Sequence, residues 1–257
     1  MSLTVEHLQL AYQDKTIVSN LNLRLPSNKV IALIGPNGCG KSTLLKALAR
    51  LLKPKSGQVK HQEQDIWQIT AKSYAKTLAF LPQQHLVPEG IKVRELVAYG
   101  RSPYLNLWGK LSKKDEKIVT QAMQITQTDA FAERLATDLS GGQQQRVFLA
   151  MTLAQDAYIV MLDETTTYLD LNHQAELMSM MRRLQQQGKT VITVLHDLNQ
   201  ACRYCDYLVV LKQGELIAQG TPHEVMTEHL LKQVFDLNVE IHQDPISFTP
   251  MFILKAH

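Results

Sequence analysis

Four groups of residues in this chain have types and spacings suited to chemistry on a phosphate. The first is Gly35-Pro36-Asn37-Gly38-Cys39-Gly40-Lys41-Ser42-Thr43. Its glycines open backbone conformations closed to other residues, so successive N–H groups converge on phosphate oxygens at the positive end of a helix. Lys41 adds a point charge for the outer phosphates, and the Ser42 hydroxyl suits Mg²⁺. The second group is the carboxylate pair Asp163-Glu164. Asp163 suits a Mg²⁺ position opposite Ser42, and Glu164, pointing differently one residue on, suits a general base acting on water. The third is His196, a titratable ring at the polar end of an apolar run. The fourth is Leu139-Ser140-Gly141-Gly142-Gln143, where a serine cap, two glycines and a helix start make a second anion cradle. One nucleotide has no need of both cradles from a single copy. The second is therefore expected to close on a nucleotide held by another subunit, in a dimer with isologous contacts.

The elements around these groups have to deliver them to one place. Val30–Ile34 is an apolar run before the first cradle, and Leu44–Leu52 has helical spacing after it, so the glycines sit at a strand-to-helix turn. Tyr158–Leu162 and Thr190–Leu195 are continuous apolar runs that end in polar residues, the pattern of central parallel strands presenting side chains at their C-terminal edge. That places Glu164 and His196 on the same edge. Thr77-Leu78-Ala79-Phe80-Leu81-Pro82-Gln83 reads as a further strand ending at a polar amide. Residues 3–11 and 21–25 alternate as half-buried antiparallel strands do, with Tyr12 closing the first.

Lys53–Gly57 is a turn, followed by a polar stretch to about residue 76. From about 84 to 138 the character is helical, an insertion between parallel strands. Ile91–Gly100 reads as a helix closed by its glycine, and Ser112 with Asp115 marks a helix start. Between them, Tyr104, Leu107 and Trp108 crowd large apolar side chains into loop-like sequence, suited either to core packing or to protein docking. Asn172–Gln187 is an amphipathic helix ended by Gly188, and residues 207–218 form a hairpin turning at Gln213-Gly214. Thr221-Pro222-His223-Glu224 is a capping box that opens a C-terminal extension, about 221–257, whose end carries no readable chemistry.

Length and composition limit what these groups belong to. The chain has 257 residues, 45% of them hydrophobic, enough for one large α/β domain with an inserted lobe. Its 27 basic and 24 acidic residues give +3, too small an excess to indicate a nucleic-acid partner. No run approaches the roughly 18 apolar residues of a membrane span, and the first residues lack a signal-peptide pattern, so a cytosolic position is expected. Three cysteines make no disulfide framework, and Cys202 with Cys205 lies in helical sequence without a second ligand pair. The nine histidines show no metal-ligand spacing.

Together, the phosphate loop, Gln83, Leu139–Gln143, Asp163-Glu164 and His196 resemble the ordered motif set of ABC-transporter ATP-binding subunits, over nearly the whole chain. The resemblance implies one ABC ATPase domain: a P-loop NTPase α/β core with an antiparallel β-subdomain and an inserted α-helical subdomain. It implies ATP and Mg²⁺ as cofactors. Tyr12 then resembles the aromatic that stacks on adenine, and Gln83 the glutamine that senses Mg²⁺ and the membrane subunit. Ser140, Gly141, Gly142 and Gln143 resemble the signature that clamps the partner copy's ATP, Asp170 the D-loop aspartate, and His196 the switch histidine at the γ-phosphate. In the implied reaction, water attacks the γ-phosphate in line, with Glu164 polarising it and Lys41 and the loop amides stabilising developing charge. Thr165 departs from the family pattern, which has proline there, and leaves the loop to Asp170 less restricted.

Within the family, Pro88–Tyr104 resembles importers of iron(III)-siderophores, haem and vitamin B12, and segments such as Leu107-Trp108-Gly109 and Leu198–Ala201 resemble the ferric dicitrate importer ATPase. A bacterial protein on the inner face of the cytoplasmic membrane is implied, working with permease subunits and an extracytoplasmic binding protein. A soluble ABC-type ATPase of DNA repair or translation would carry coiled-coil insertions or a second ATPase copy, and neither is present. A metabolite kinase would have no use for the signature.

Overall fold

The computed structural model describes residues 3–105, 109–163 and 171–255, with side chains in the last stretch from residue 174. In chain order, β1 (Leu3–Tyr12) and β2 (Lys15–Leu25) precede β3 (Val30–Ile34) and α1 (Lys41–Leu48). Then come β4 (Ser56–His61), β5 (Gln64–Asp65), α2 (Ala71–Thr77) and β6 (Leu78–Leu81). The middle is mostly helical: α3 (Val93–Ala98), α4 (Lys113–Ile125) and α5 (Gly141–Ala154), followed by β7 (Ile159–Leu162). After α6 (Leu171–Gln186) follow β8 (Thr190–Val194), α7 (Leu198–Tyr204), β9 (Tyr207–Lys212) and β10 (Glu215–Gly220). The chain closes with α8 (Pro222–Val225), α9 (Glu228–Phe235), β11 (Val239–Gln243) and β12 (Pro250–Leu254).

Two compact units are built from these elements: residues 1–68 with 174–257, and residues 69–173. In the first, β1 pairs antiparallel with β2 and β4, and the strands alternate buried and exposed side chains. β3 runs parallel to β8 on one side and to β9 on the other, and all five β3 side chains are buried. Strands buried on both faces favour apolar sequence, which Val30–Ile34 provides throughout, while Thr190–Val194 buries two threonines beside its valines and isoleucine. The β9–β10 hairpin turns at Gln213 and Gly214, both with positive φ. Gly214 is required there, because a Cβ would stand 2.0 Å from the Ile17 carbonyl oxygen of β2.

In the second unit, β6 and β7 pair in parallel and α3, α4 and α5 pack together. Ser112 caps α4 reciprocally with Asp115, as expected. Gly100 does not close a helix. The chain passes through it into a 3-10 segment, Tyr99–Tyr104, and a Cβ at Gly100 would lie 2.1 Å from the Met151 carbonyl oxygen of α5. The glycine is needed for close helix approach rather than as a stop. Arg101 is buried one residue on, paired with Asp115 at 2.7 Å, donating to the Ala154 carbonyl at 2.9 Å and lying 3.7 Å over the Tyr104 ring. Tyr104 is thus half-buried and packed internally, while Leu107 and Trp108 lie outside the described residues. No helix among the described residues is long and apolar enough to cross a membrane.

Candidate functional site

In the first unit, β3 ends at Ile34 and the phosphate loop begins at once. Gly35 must be glycine: its φ is +150°, and a Cβ would meet the Leu211 carbonyl oxygen of β9 at 2.1 Å. Gly40 has φ +105° and lies against Val18 and Ile17 of β2, with 3.1 Å from its Cβ position to Val18 Cγ2. Gly214 of the hairpin donates its N–H to the Cys39 carbonyl at 3.0 Å, so the loop is held from two sides. Gly38, with φ +74°, has nothing within 4 Å of its Cβ position. Gly40 is the N-cap of α1 and no side chain caps it, so the positive end of the helix dipole is turned to the loop. Pro36, Asn37 and Thr43 lie in the same loop and first helical turn.

Lys41 is buried, and its ammonium donates to the Gly35 and Pro36 carbonyls at 2.8 and 3.0 Å. Cys39 is 4% exposed. Its Sγ lies 3.8 Å from Lys41 Nζ and 2.8 Å from where a Gly35 Cβ would be, so the thiol packs into the loop. Burial pushes its pKa up, and Lys41 only partly opposes that. Tyr12 is exposed at the tip of the β1–β2 hairpin, whose second strand touches Gly40.

His196 stands two residues beyond β8. Leu33 pairs with Val194, so Gly35 and His196 leave neighbouring parallel strands at the same level. The sequence pattern puts His196 on one sheet edge with Glu164, which lies outside the described residues; the register sets His196 level with the start of the phosphate loop. Asp197 next caps α7, accepting from the Gln200 N–H at 3.0 Å. Cys202 and Cys205 are both buried; burial raises both thiol pKa values, that of Cys202 to about 12, as suits structural rather than reactive thiols.

In the second unit, Leu81 pairs with Leu162, so Gln83 and Asp163 leave β6 and β7 close to the same level. Asp163 is 2% exposed, and its N–H donates to the Leu81 carbonyl at 2.9 Å. Glu164, Thr165 and Asp170 lie outside the described residues. Ser140 caps α5 through a reciprocal box with Gln143, at 3.4 and 3.1 Å. The helix takes in Gly141 and Gly142 rather than starting after Gln143, and neither glycine has anything within 4 Å of its Cβ position.

A cleft of about 860 Å³ joins Gln83, Gln84, His85 and Leu86 to Gly141, Gly142, Gln144 and Gln145. The shared cleft between Gln83 and the signature was not legible in sequence. Nor was His85, whose ring lies 3.8 Å from that of Phe148 and whose Nδ1 is buried without a hydrogen-bond partner. Burial lowers its pKa, against a backbone hydrogen bond with Pro82. The only hint in the sequence was its place two residues after Gln83.

The loop fits a nucleoside triphosphate: Gly35 is dictated by close backbone packing, Gly40 by its positive φ against β2 side chains, Gly38 faces open space, and the α1 N-terminus has no side-chain cap. Ser42 in the first unit, and Gln83 and Asp163 in the second, each carry a side-chain oxygen, the donor type that Mg²⁺ takes. Among the described residues no three His, Cys, Asp or Glu side chains cluster as a metal cage. Mg²⁺ bound through one carboxylate and substrate phosphates does not need one.

Comparison with known proteins agrees with this construction. The ABC transporter family model matches residues 18–167. The achromobactin transport ATP-binding protein of Dickeya dadantii is 51% identical, over 98% of this chain and 94% of that protein. The iron(3+)-hydroxamate import ATP-binding protein of Bacillus subtilis is 45% identical over 97% and 93%. The ferric enterobactin transport ATP-binding protein of Escherichia coli is 43% identical over 96% and 92%. Among solved structures, a metal-chelate type ABC transporter in an inward-facing conformation superposes with TM-score 0.82 at 29% identity, covering 99% of this chain and 97% of that one. A dimeric ATP-binding cassette bound to ADP and Pi gives TM-score 0.76 at 27% identity, covering 85% and 98%. With the family model spanning more than half of its length and relatives aligning almost end to end, this chain belongs to the ABC transporter family as one of its ATP-binding, ATP-hydrolysing subunits.

Proposed function

We propose that the chain powers bacterial import of an iron(III) chelate, and that ferric citrate is its cargo. The iron-chelate class is supported by the relatives named for achromobactin, hydroxamate and enterobactin transport. The choice of citrate rests on the sequence resemblance at residues 107–109 and 198–201. Other siderophores, haem and cobalamin are the competing cargoes. The protein sits on the cytoplasmic face of the inner membrane, bound to permease subunits that receive cargo from an extracytoplasmic binding protein.

Two copies sandwich two ATP molecules. The observation that carries this arrangement is the open space over Gly141 and Gly142. Glycine in a helix costs roughly 0.5–1 kcal/mol relative to alanine, so two of them with no internal neighbour point to something outside the chain that approaches closely. The N–H groups from Gly35 to Thr43, apart from Pro36, which has none, would take the phosphates, with Lys41 for the outer ones and Tyr12 for the adenine. Ser42, Asp163 and Gln83 would hold Mg²⁺, which when bound would supply charge to polarise the phosphate oxygens. Glu164 accepts a proton from the attacking water, His196 orients the γ-phosphate, and the Ser140 hydroxyl with the Gly141 and Gly142 amides closes the site from the other copy. Asp170 and Gln143 support that contact.

The test is uptake of radiolabelled iron by cells lacking this chain. Loss of uptake from citrate, with uptake from hydroxamate and catecholate chelates retained, is expected. Loss from a different chelate would move the cargo assignment, and normal uptake from all of them would sink the importer reading.

A further inference from the structure

The C-terminal hairpin had no legible role in the sequence, yet it grips the helix that follows His196. Among the described residues β11 and β12 pair only with each other, in register from Val239–Leu254 to Gln243–Pro250. A two-stranded hairpin is marginal by itself and needs another surface. α7 provides it. Asn199 donates from Nδ2 to the Phe252 carbonyl at 3.3 Å, and its Oδ1 accepts the Phe252 N–H at 3.0 Å. The side-chain amide thus imitates a neighbouring strand. Both Phe252 backbone groups go to Asn199, so they point away from β11, where Phe252 stands opposite Ile241. One turn on, Arg203 lies 3.6 Å from the Asp244 carboxylate, which also holds the Ile246 and Ser247 N–H groups of the hairpin turn.

The other side of α7 is tied as well. Gln200 donates to the Gln174 side chain of α6 at 3.1 Å, and Asp197 caps the helix. Beyond its C-terminus, Asp206 accepts the Val30 N–H of β3 at 2.8 Å. α7 has seven residues, so a hold on Asn199 is a hold on the whole helix and on the His196-Asp197 turn that leads into it.

We infer that Asn199 is a positioning residue that couples the C-terminal hairpin to His196 and so sets the turnover rate. The inference rests on the role proposed for His196. In the full chain, Asn199→Ala should lower kcat for ATP hydrolysis about three- to tenfold, the scale of coupling between linked elements, with KM for ATP unchanged within about twofold. Phe252→Pro removes the N–H from the other side of the same clasp, at a strand edge where proline is tolerated. It should reproduce the kcat loss, and the double variant should be no worse than Asn199→Ala, because both remove one interaction. His196→Ala is measured in parallel. If it abolishes turnover while Asn199→Ala leaves kcat intact, the clasp is not coupled and the inference is overturned alone. If His196→Ala turns over normally, the parent reading of His196 fails and the coupling with it. A fall of kcat, KM and thermal midpoint together in both clasp variants would make the clasp purely structural.

Discussion

The two glycine-rich cradles of this chain obey opposite constraints. In the phosphate loop, Gly35 and Gly40 are fenced by their own fold: the β9 backbone stands where a Gly35 side chain would go, and β2 side chains crowd Gly40. At the signature, Gly141 and Gly142 open a well-capped helix and face nothing within 4 Å. A glycine dictated by internal packing reports on folding. A glycine in a helix with no internal neighbour reports on what comes to it from outside. The first cradle is thus shaped by its own fold, whereas the second leaves open the space that the proposed partner nucleotide would fill.

The largest effect expected concerns the reaction itself, which both cradles are proposed to serve. Glu164→Gln should lower ATP turnover by about 10²–10⁴, the range for a lost acid–base group, with nucleotide binding retained. Steady-state phosphate release and nucleotide titration check this, and unchanged turnover would remove Glu164 from its role.

Alanine at one glycine of each cradle then separates the two constraints. Gly35→Ala forces overpacking against the Leu211 carbonyl and should destabilise the protein by about 3 kcal/mol or more, with ATP binding lost as well. Gly141→Ala should leave the thermal midpoint equal or higher, since alanine gains up to about 1 kcal/mol of helix propensity. Turnover should nonetheless fall by about tenfold or more, because a methyl group displaces the closing partner. Calorimetry beside an ATPase assay reads both; a stability loss at Gly141 matching that at Gly35 would erase the contrast.

Much of this was legible because local chemistry and tertiary role coincide. The Ser112 and Ser140 capping boxes satisfy their own backbone, and the phosphate loop and the Gln213-Gly214 turn carry their glycines at positive φ, so short sequence suffices to read them. What escaped depends on distant partners. β4 reads as polar sequence because only Val59 among its residues is a large apolar one, and β1 completes the strand. Gly100 looked like a helix stop, and only the backbone of α5, some fifty positions away in sequence, shows why it is glycine. The hairpin of β11 and β12 has weak alternation, and the side chains that hold it, Asn199 and Arg203 among them, come from a helix some fifty residues earlier. Glu164, Asp170 and Trp108 lie outside the described residues, so their expected roles stand on sequence alone.

The smallest effect concerns Cys39, which sequence placed among the phosphate contacts. Its thiol turns into the loop, where burial raises its pKa above the ordinary value. Because the thiolate is the reactive form, maleimide labelling near neutral pH should be slower than for an exposed cysteine and should quicken as pH rises. ATP should slow it further by holding the loop closed. Mass spectrometry of the labelled peptide follows both; fast labelling at neutral pH, unaffected by ATP, would show the thiol on the outside of the loop.

The claim that the second cradle serves a nucleotide held by another copy is tested most directly by light scattering on the Glu164→Gln variant with Mg-ATP. Its mass should double when ATP is added. Adding Gly141→Asp to that variant should keep the protein monomeric while ATP still binds to the intact phosphate loop. A double variant that dimerises with ATP as before, or one that has lost ATP binding as a monomer, would contradict the assignment of the signature to the partner's nucleotide.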